Sequence, residues 1–67
     1  MNFLEAVKLA EEGKKITRKY YKLSNNFYLI MQNNILFLEE QESLTPYYSK
    51  YLDIIADDWE VVEEEAL

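Results

Sequence analysis

Apolar residues recur at helical spacing over the first dozen positions. Phe3, Val7 and Ala10 stand at i, i+4 and i+7, with Leu4 and Ala6 beside them, while Lys8, Glu11 and Glu12 take the other face. Such a stripe predicts an amphipathic helix of about three turns. Asn2 followed by Glu5 has capping-box spacing, in which each side chain satisfies an orphan N–H at the helix start. Gly13, the only glycine, follows the stripe and is predicted to close the helix in the left-handed conformation.

The pattern then changes. Lys15 to Tyr20 is β-compatible with basic residues interleaved, and Lys22 to Asn26 is polar and turn-like. Phe27-Tyr28-Leu29-Ile30-Met31 and Ile35-Leu36-Phe37-Leu38 flank Gln32-Asn33-Asn34. Asn tolerates positive φ, so Asn33-Asn34 suits the tight turn of a β-hairpin. Glu39 to Ser43 reads as an acidic loop. Pro46 marks a break or the first turn of a short helix holding Tyr47, Tyr48, Tyr51 and Leu52. Asp53 to Asp58 reads as one helical turn or a compact loop, Trp59 to Val62 as a last strand, and Glu63 to Leu67 as a fraying end.

A sheet covered on one face by a single helix should alternate apolar and polar residues. The hairpin does not alternate: 27–31 and 35–38 are apolar throughout. Its second face therefore needs a cover, either the Tyr-rich segment 47–55 or another copy of the chain.

Composition sets the class. Sixty-seven residues make one domain, 1–67, with a small core. No Cys is present to staple it and no His to build an ordinary zinc site, which leaves self-association as the available reinforcement. Hydrophobic residues at 49% and aromatics at 15% argue against disorder despite a net charge of −6. No apolar run is long enough to span a bilayer, and the first residues lack a signal peptide's basic run and cleavage site. A cytoplasmic protein without membrane contact is expected.

Charge is unevenly placed. Residues 1–22 carry six basic side chains against three acidic ones, net +3; residues 23–67 carry Lys50 against ten acids, net −9. The first segment can attract an anion, and the rest repels duplex nucleic acid. Lys14, Lys15, Arg18, Lys19 and Lys22 put five charges into nine residues, with Tyr20 and Tyr21 among them. Arg and Lys donate charge-assisted hydrogen bonds to phosphate and a Tyr ring stacks on a base, so the cluster could hold a small nucleotide. The same residues also fit a solvated edge strand guarded by lysines. Without His or Cys there is no triad, and the neighbouring pairs Asp57-Asp58 and Glu39-Glu40 read as surface charge or a helix cap. Trp59 reads as an anchor packing the last strand on the helix. No enzymatic activity, metal or cofactor is expected.

Two stretches resemble a known family. Met1-Asn2-Phe3-Leu4-Glu5-Ala6 through Glu12-Gly13-Lys14-Lys15-Ile16-Thr17-Arg18-Lys19 resembles the opening of the Tad2-like (Thoeris anti-defence) proteins of phages and prophages. Asp53-Ile54-Ile55-Ala56-Asp57-Asp58-Trp59-Glu60-Val61-Val62 resembles their closing motif. The resemblance implies an α+β fold, with the N-terminal helix packed on a small antiparallel sheet of about four strands. It implies homo-oligomers with pockets between subunits, which sequester a cyclic nucleotide immune signal in the host cytoplasm without cleaving it. Arg18 matches the family position. Tyr20-Tyr21-Lys22-Leu23 stand where the family carries Gly-Trp-Asn-Gly, so Tyr21 takes the place of the Trp. Asp58 and Trp59 match the closing motif, where a structural role is expected. The ligand-binding set expected on this reading is Arg18, Lys19 and Lys22 at phosphate, with Tyr20 or Tyr21 stacking. The competing expectation is an acidic inhibitor that blocks a bacterial defence protein, such as a nuclease, through Glu39, Glu40 and Glu42.

Overall fold

The computed structural model describes residues 1–24, 28–40 and 43–62, without the side chains of 22–24. Phe27 of the predicted hairpin, Gln41 and Glu42 of the predicted loop, the Lys22 side chain and the predicted fraying end, 63–67, lie outside the described residues.

The capping box forms as the spacing predicts. Glu5 N–H donates to Asn2 Oδ1 at 2.9 Å and Asn2 N–H to Glu5 Oε1 at 3.0 Å, opening α1 (Phe3–Glu11). Gly13 closes it at φ +96°. Gly13 N–H donates to Ala10 and Lys14 N–H to Leu9, the paired bonds of a Schellman ending. Ala6 and Ala10 are the buried residues of α1, and their small side chains let the helix axis approach the sheet.

Five antiparallel strands follow the order β4-β3-β2-β1-β5: β1 (Lys15–Arg18), β2 (Tyr28–Gln32), β3 (Ile35–Glu40), β4 (Ser43–Pro46) and β5 (Trp59–Val62). Asn33 and Asn34 both take positive φ, 54° and 64°, in the two-residue turn between β2 and β3. That is the primed turn whose twist matches a hairpin. The predicted acidic loop over Glu39–Ser43 gives up both ends to strands, because Glu39 pairs with Leu44 and Glu40 with Ser43. Pro46 ends β4 rather than starting a helix, as suits a residue without an N–H on an edge strand. The predicted strand Lys15–Tyr20 stops at Arg18, and Lys19–Ser24 forms a short helix, α2. The turn there is set by Asp58, whose carbonyl accepts from Lys19 N–H at 3.2 Å and whose carboxylate accepts from Tyr20 N–H at 3.3 Å.

β1 lies between β2 and β5, so the edge-strand reading of its basic residues does not hold. Registers place Ile16, Leu29, Leu38 and Val61 on one face, since Ile16 pairs with Leu29 and Val61, and Leu29 with Leu38. Ile16, Leu29 and Trp59 form the core there with Ala6 and Ala10, and Phe3 packs on Trp59 at 5.3 Å between ring centres. The short helix α3 (Tyr51–Ile55) and Tyr47 join the same side. The 47–55 segment therefore does not cover the opposite face, where Ile35 and Leu44 are 52% and 43% exposed. Among the described residues no helix is long and apolar enough to cross a membrane.

Candidate functional site

Arg18 closes β1 on the core-facing side, opposite Trp59 in β5. That position points its guanidinium at α3 and at the approach to β5. Nε donates to Asp58 Oδ1 at 2.7 Å and Nη1 to Asp53 Oδ1 at 2.8 Å. Asp53 is 2% exposed, and its four helix companions Tyr51, Leu52, Ile54 and Ile55 are exposed. The helix is thus inverted, with its acid inside and its apolar residues outside. Asp53 also accepts short hydrogen bonds from the hydroxyls of Tyr21 and Tyr47, and its backbone carbonyl accepts from Trp59 Nε1 at 2.8 Å. One residue, through its carboxylate and its backbone carbonyl, thereby ties together β1, α2, the segment after β4, α3 and β5.

The titration shifts follow from these contacts. Burial alone would raise the Asp53 carboxyl, but bonds from Tyr21, Tyr47 and Arg18 outweigh it and hold the group below the ordinary carboxylate value. Asp58 is likewise lowered: burial opposes ionisation, and the bond from Arg18 and the Tyr20 N–H overcome it. Arg18 is raised, chiefly by its bond to Asp58. Burial and the bond to Asp53 push the Tyr21 phenol up to about 12, and Tyr47 is raised for the same reasons. Both phenols therefore remain neutral donors at physiological pH.

Beside this network lies an open groove of about 740 Å³ between the start of α2 and α3. Arg18, Tyr20, Tyr21, Lys50, Tyr51 and Asp57 are among its lining residues. Tyr20 is 61% exposed. Arg18 sits 5.3 Å from the centre of the Tyr20 ring and 5.4 Å from that of Tyr21. A second pocket of about 400 Å³ adjoins it, lined by Tyr21, Leu38, Thr45, Pro46, Tyr47, Tyr48 and Lys50.

The groove brings together three of the expected ligand-binding residues, Arg18, Tyr20 and Tyr21, and leaves others apart. Lys19 is exposed and does not line it, and the Lys22 side chain is outside the described residues. Arg18 lines the groove but is only 16% exposed, with its charge engaged by two carboxylates. Lys14 is exposed, and Lys15 turns to the opposite sheet face. There Lys15 Nζ meets Tyr28 Oη at 3.3 Å and lies 3.6 Å from Glu39 Oε2. That oxygen is buried without a hydrogen bond among the described residues. The fold therefore parts Lys15 from Arg18, because an alternating strand sends odd and even positions to opposite faces. The sequence reading missed Lys50. Its signal was its isolation, the one cation of the acidic segment, set between Tyr48 and Tyr51. Asp53 was also missed, because Asp53 to Asp58 reads as one helical turn or a compact loop and nothing in the spacing says which side faces inward.

The arrangement offers stacking rings, fixed hydroxyl donors and two cations. Among the described residues no group of carboxylates could hold a metal ion. Comparison with curated proteins gives no match, and comparison with solved structures gives none either. Residues 1–62 match the Tad2-like family, described as the Thoeris anti-defense 2-like domain. That match spans the helix, all five strands and the Arg18–Asp53–Asp58 network, and the chain belongs to the Tad2-like family.

Proposed function

We propose that this Thoeris anti-defence protein acts by non-covalent capture of a phosphate-containing cyclic nucleotide signal in the host cytoplasm, holding it without cleavage. The observation that carries the reading is the groove, where the exposed Tyr20 ring, Tyr21 and Tyr51 line a space of about 740 Å³ with Arg18 and Lys50. Tyr rings stack on nucleobases, and a cation meets phosphate. Asp57, exposed in the same groove, supplies acceptors for ribose hydroxyls. Capture needs affinity and no proton-transfer group, and the Tyr21 phenol, pushed up to about 12, stays protonated at neutral pH.

The magnitudes bear on assembly. Stacking contributes roughly 1–3 kcal/mol per base and a charge-assisted hydrogen bond about 1.5–3 kcal/mol. Two stacks and one phosphate contact therefore reach micromolar dissociation, about 8 kcal/mol, only at their upper limit. A sponge needs tighter holding, and enclosure by a second copy supplies it. The exposed apolar residues of α3 and the open sheet face around Ile35 and Leu44 support such self-association.

Calorimetry against cyclic ADP-ribose isomers and cyclic oligonucleotides tests the reading, with native mass spectrometry giving ligand-to-subunit stoichiometry. The expected result is tight binding of at least one ligand, recovered unchanged after denaturation. Failure to bind any of them refutes the sponge, and recovery of a cleaved product refutes capture without catalysis.

A further inference from the structure

The two pockets beside the network share a wall. Tyr21 and Lys50 line both the groove of about 740 Å³ and the neighbouring pocket of about 400 Å³. The two cations of the groove differ in how they are engaged. Arg18 is held by Asp53 and Asp58, whereas among the described residues no carboxylate pairs with Lys50. Lys50 precedes α3 in extended conformation and is exposed, so its stem can swing toward either side. Each side also offers rings. Tyr20 and Tyr51 line the larger lobe, and Tyr47 and Tyr48 line the smaller one with Pro46.

We propose that the groove and its neighbour are two lobes of one site, with Lys50 at their junction as the phosphate anchor. The ligand class this fits is a nucleotide with a ring-bearing group on each side of its phosphates, one end on Tyr20 and Tyr51 and the other on Tyr47 and Tyr48. This rests on the nucleotide-capture reading and adds to it a second lobe and a cation that belongs to neither lobe alone. A point charge on a flexible stem suits that place, because it follows the phosphate as each ring end settles. The fixed Arg18 instead stiffens the wall behind Tyr20 and Tyr21.

The test is calorimetry with two probes, adenosine monophosphate and diadenosine diphosphate, on the full chain. Wild type is expected to bind the two-ended probe at least about tenfold tighter than the one-ended probe. Thr45→Trp fills the smaller lobe from an exposed edge-strand position and is expected to bring that ratio to about one. Lys50→Gln is expected to weaken the two-ended probe by about tenfold and flatten its salt dependence, as loss of a phosphate contact does. Circular dichroism of both variants confirms the fold. A wild-type ratio near one, with both probes bound, overturns the second lobe and leaves nucleotide capture standing. An unchanged ratio in folded Thr45→Trp does the same, and an unchanged salt dependence in Lys50→Gln overturns the anchor. If neither probe binds wild type, the two-lobed site falls, and if no cyclic nucleotide binds either, capture itself fails with it.

Discussion

Asp53→Asn removes one charge and leaves the shape. The carboxylate takes Nη1 of Arg18 and the hydroxyls of Tyr21 and Tyr47 at 2% exposure. An Asn carbonyl still accepts from Arg18 and Tyr21, but its NH2 faces the Tyr47 hydroxyl, which must rotate to accept. Hydrogen bonds to a charged group contribute about 1.5–3 kcal/mol and neutral ones about 1 kcal/mol. The bonds from Tyr21 and Tyr47 lose that difference, about 0.5–2 kcal/mol each, while the Arg18 bond keeps its charged donor, so the cost is roughly 1–4 kcal/mol. Arg18 keeps Asp58, so the variant avoids the full penalty of an unpaired buried charge. A chain of this length holds roughly 3–10 kcal/mol in all. Urea unfolding followed by the fluorescence of Trp59, the only tryptophan, reads the loss directly, because Trp59 Nε1 donates to the Asp53 carbonyl. With a slope near 1 kcal/mol/M for a small domain, the midpoint should fall by about 1 M or more. The pH dependence adds an independent check. Asp53 is lowered in the folded state, so its contribution is present above the unfolded value of about 4 and is lost as pH falls through the folded value. The gap between wild type and Asp53→Asn should be full at pH 7 and narrow below about pH 4. Asp58 titrates in both proteins and largely cancels from the difference. A gap under about 1 kcal/mol at pH 7, or one that widens on acidification, refutes the account of Asp53 as the hub.

Four further outcomes follow from particular positions. Tyr20→Ala removes an exposed ring, so thermal stability should hold within about 0.5 kcal/mol while nucleotide affinity drops by roughly 1–3 kcal/mol in calorimetry. Arg18→Ala is the poorer probe of binding, since stripping a cation from two carboxylates should cost the fold about 3–5 kcal/mol, read by the same urea titration. Gly13→Ala meets no atom within 4 Å of the added Cβ, so its expected cost, about 1 kcal/mol by thermal melt, comes from φ +96° alone. Ile35→Glu charges the open sheet face at a half-exposed site, and sedimentation velocity should show smaller species than wild type; an unchanged distribution removes that face from the interface.

Local signals in the sequence were read correctly wherever the cause was itself local. Asn2 with Glu5, Gly13 after the stripe, and Asn33-Asn34 between apolar runs each specify backbone within four residues, and each forms as the chain predicts. β4 was missed because its pairing partner, β3, supplies the reason for it to be extended; Ser43 to Pro46 alone reads as a break. The end of β1 was missed because Asp58, forty residues away, accepts the N–H groups that turn the chain into α2. The site divided in the same way. Tyr20 and Tyr21 follow Arg18 in sequence and reach the groove together, but whether Arg18 faces solvent or two acids depends on where α3 docks. No spacing in the basic cluster encodes that.

The orientation of α3 poses the strongest energetic question about this fold. Turning an amphipathic segment so that Tyr51, Leu52, Ile54 and Ile55 face water forgoes burial of roughly 1.5–3 kcal/mol per large apolar side chain. Over four residues that rivals the stability of the whole domain. Asp53 faces inward instead, where a carboxylate without partners would be expensive, and the fold supplies Arg18, Tyr21 and Tyr47 to satisfy it. A monomer optimised for its own packing would do the reverse, sinking Leu52 and Ile55 and leaving the acid in solvent. The inversion is explained once the outer surface of α3 has its own partner, because burial postponed until that surface is covered is not lost. Tyr51, Leu52 and Ile55 also line the groove, so whatever covers α3 also narrows the space beside Tyr20. If a second copy covers α3, as the capture reading requires, inverted packing and an open groove have one cause: a helix whose exposed apolar residues meet that copy.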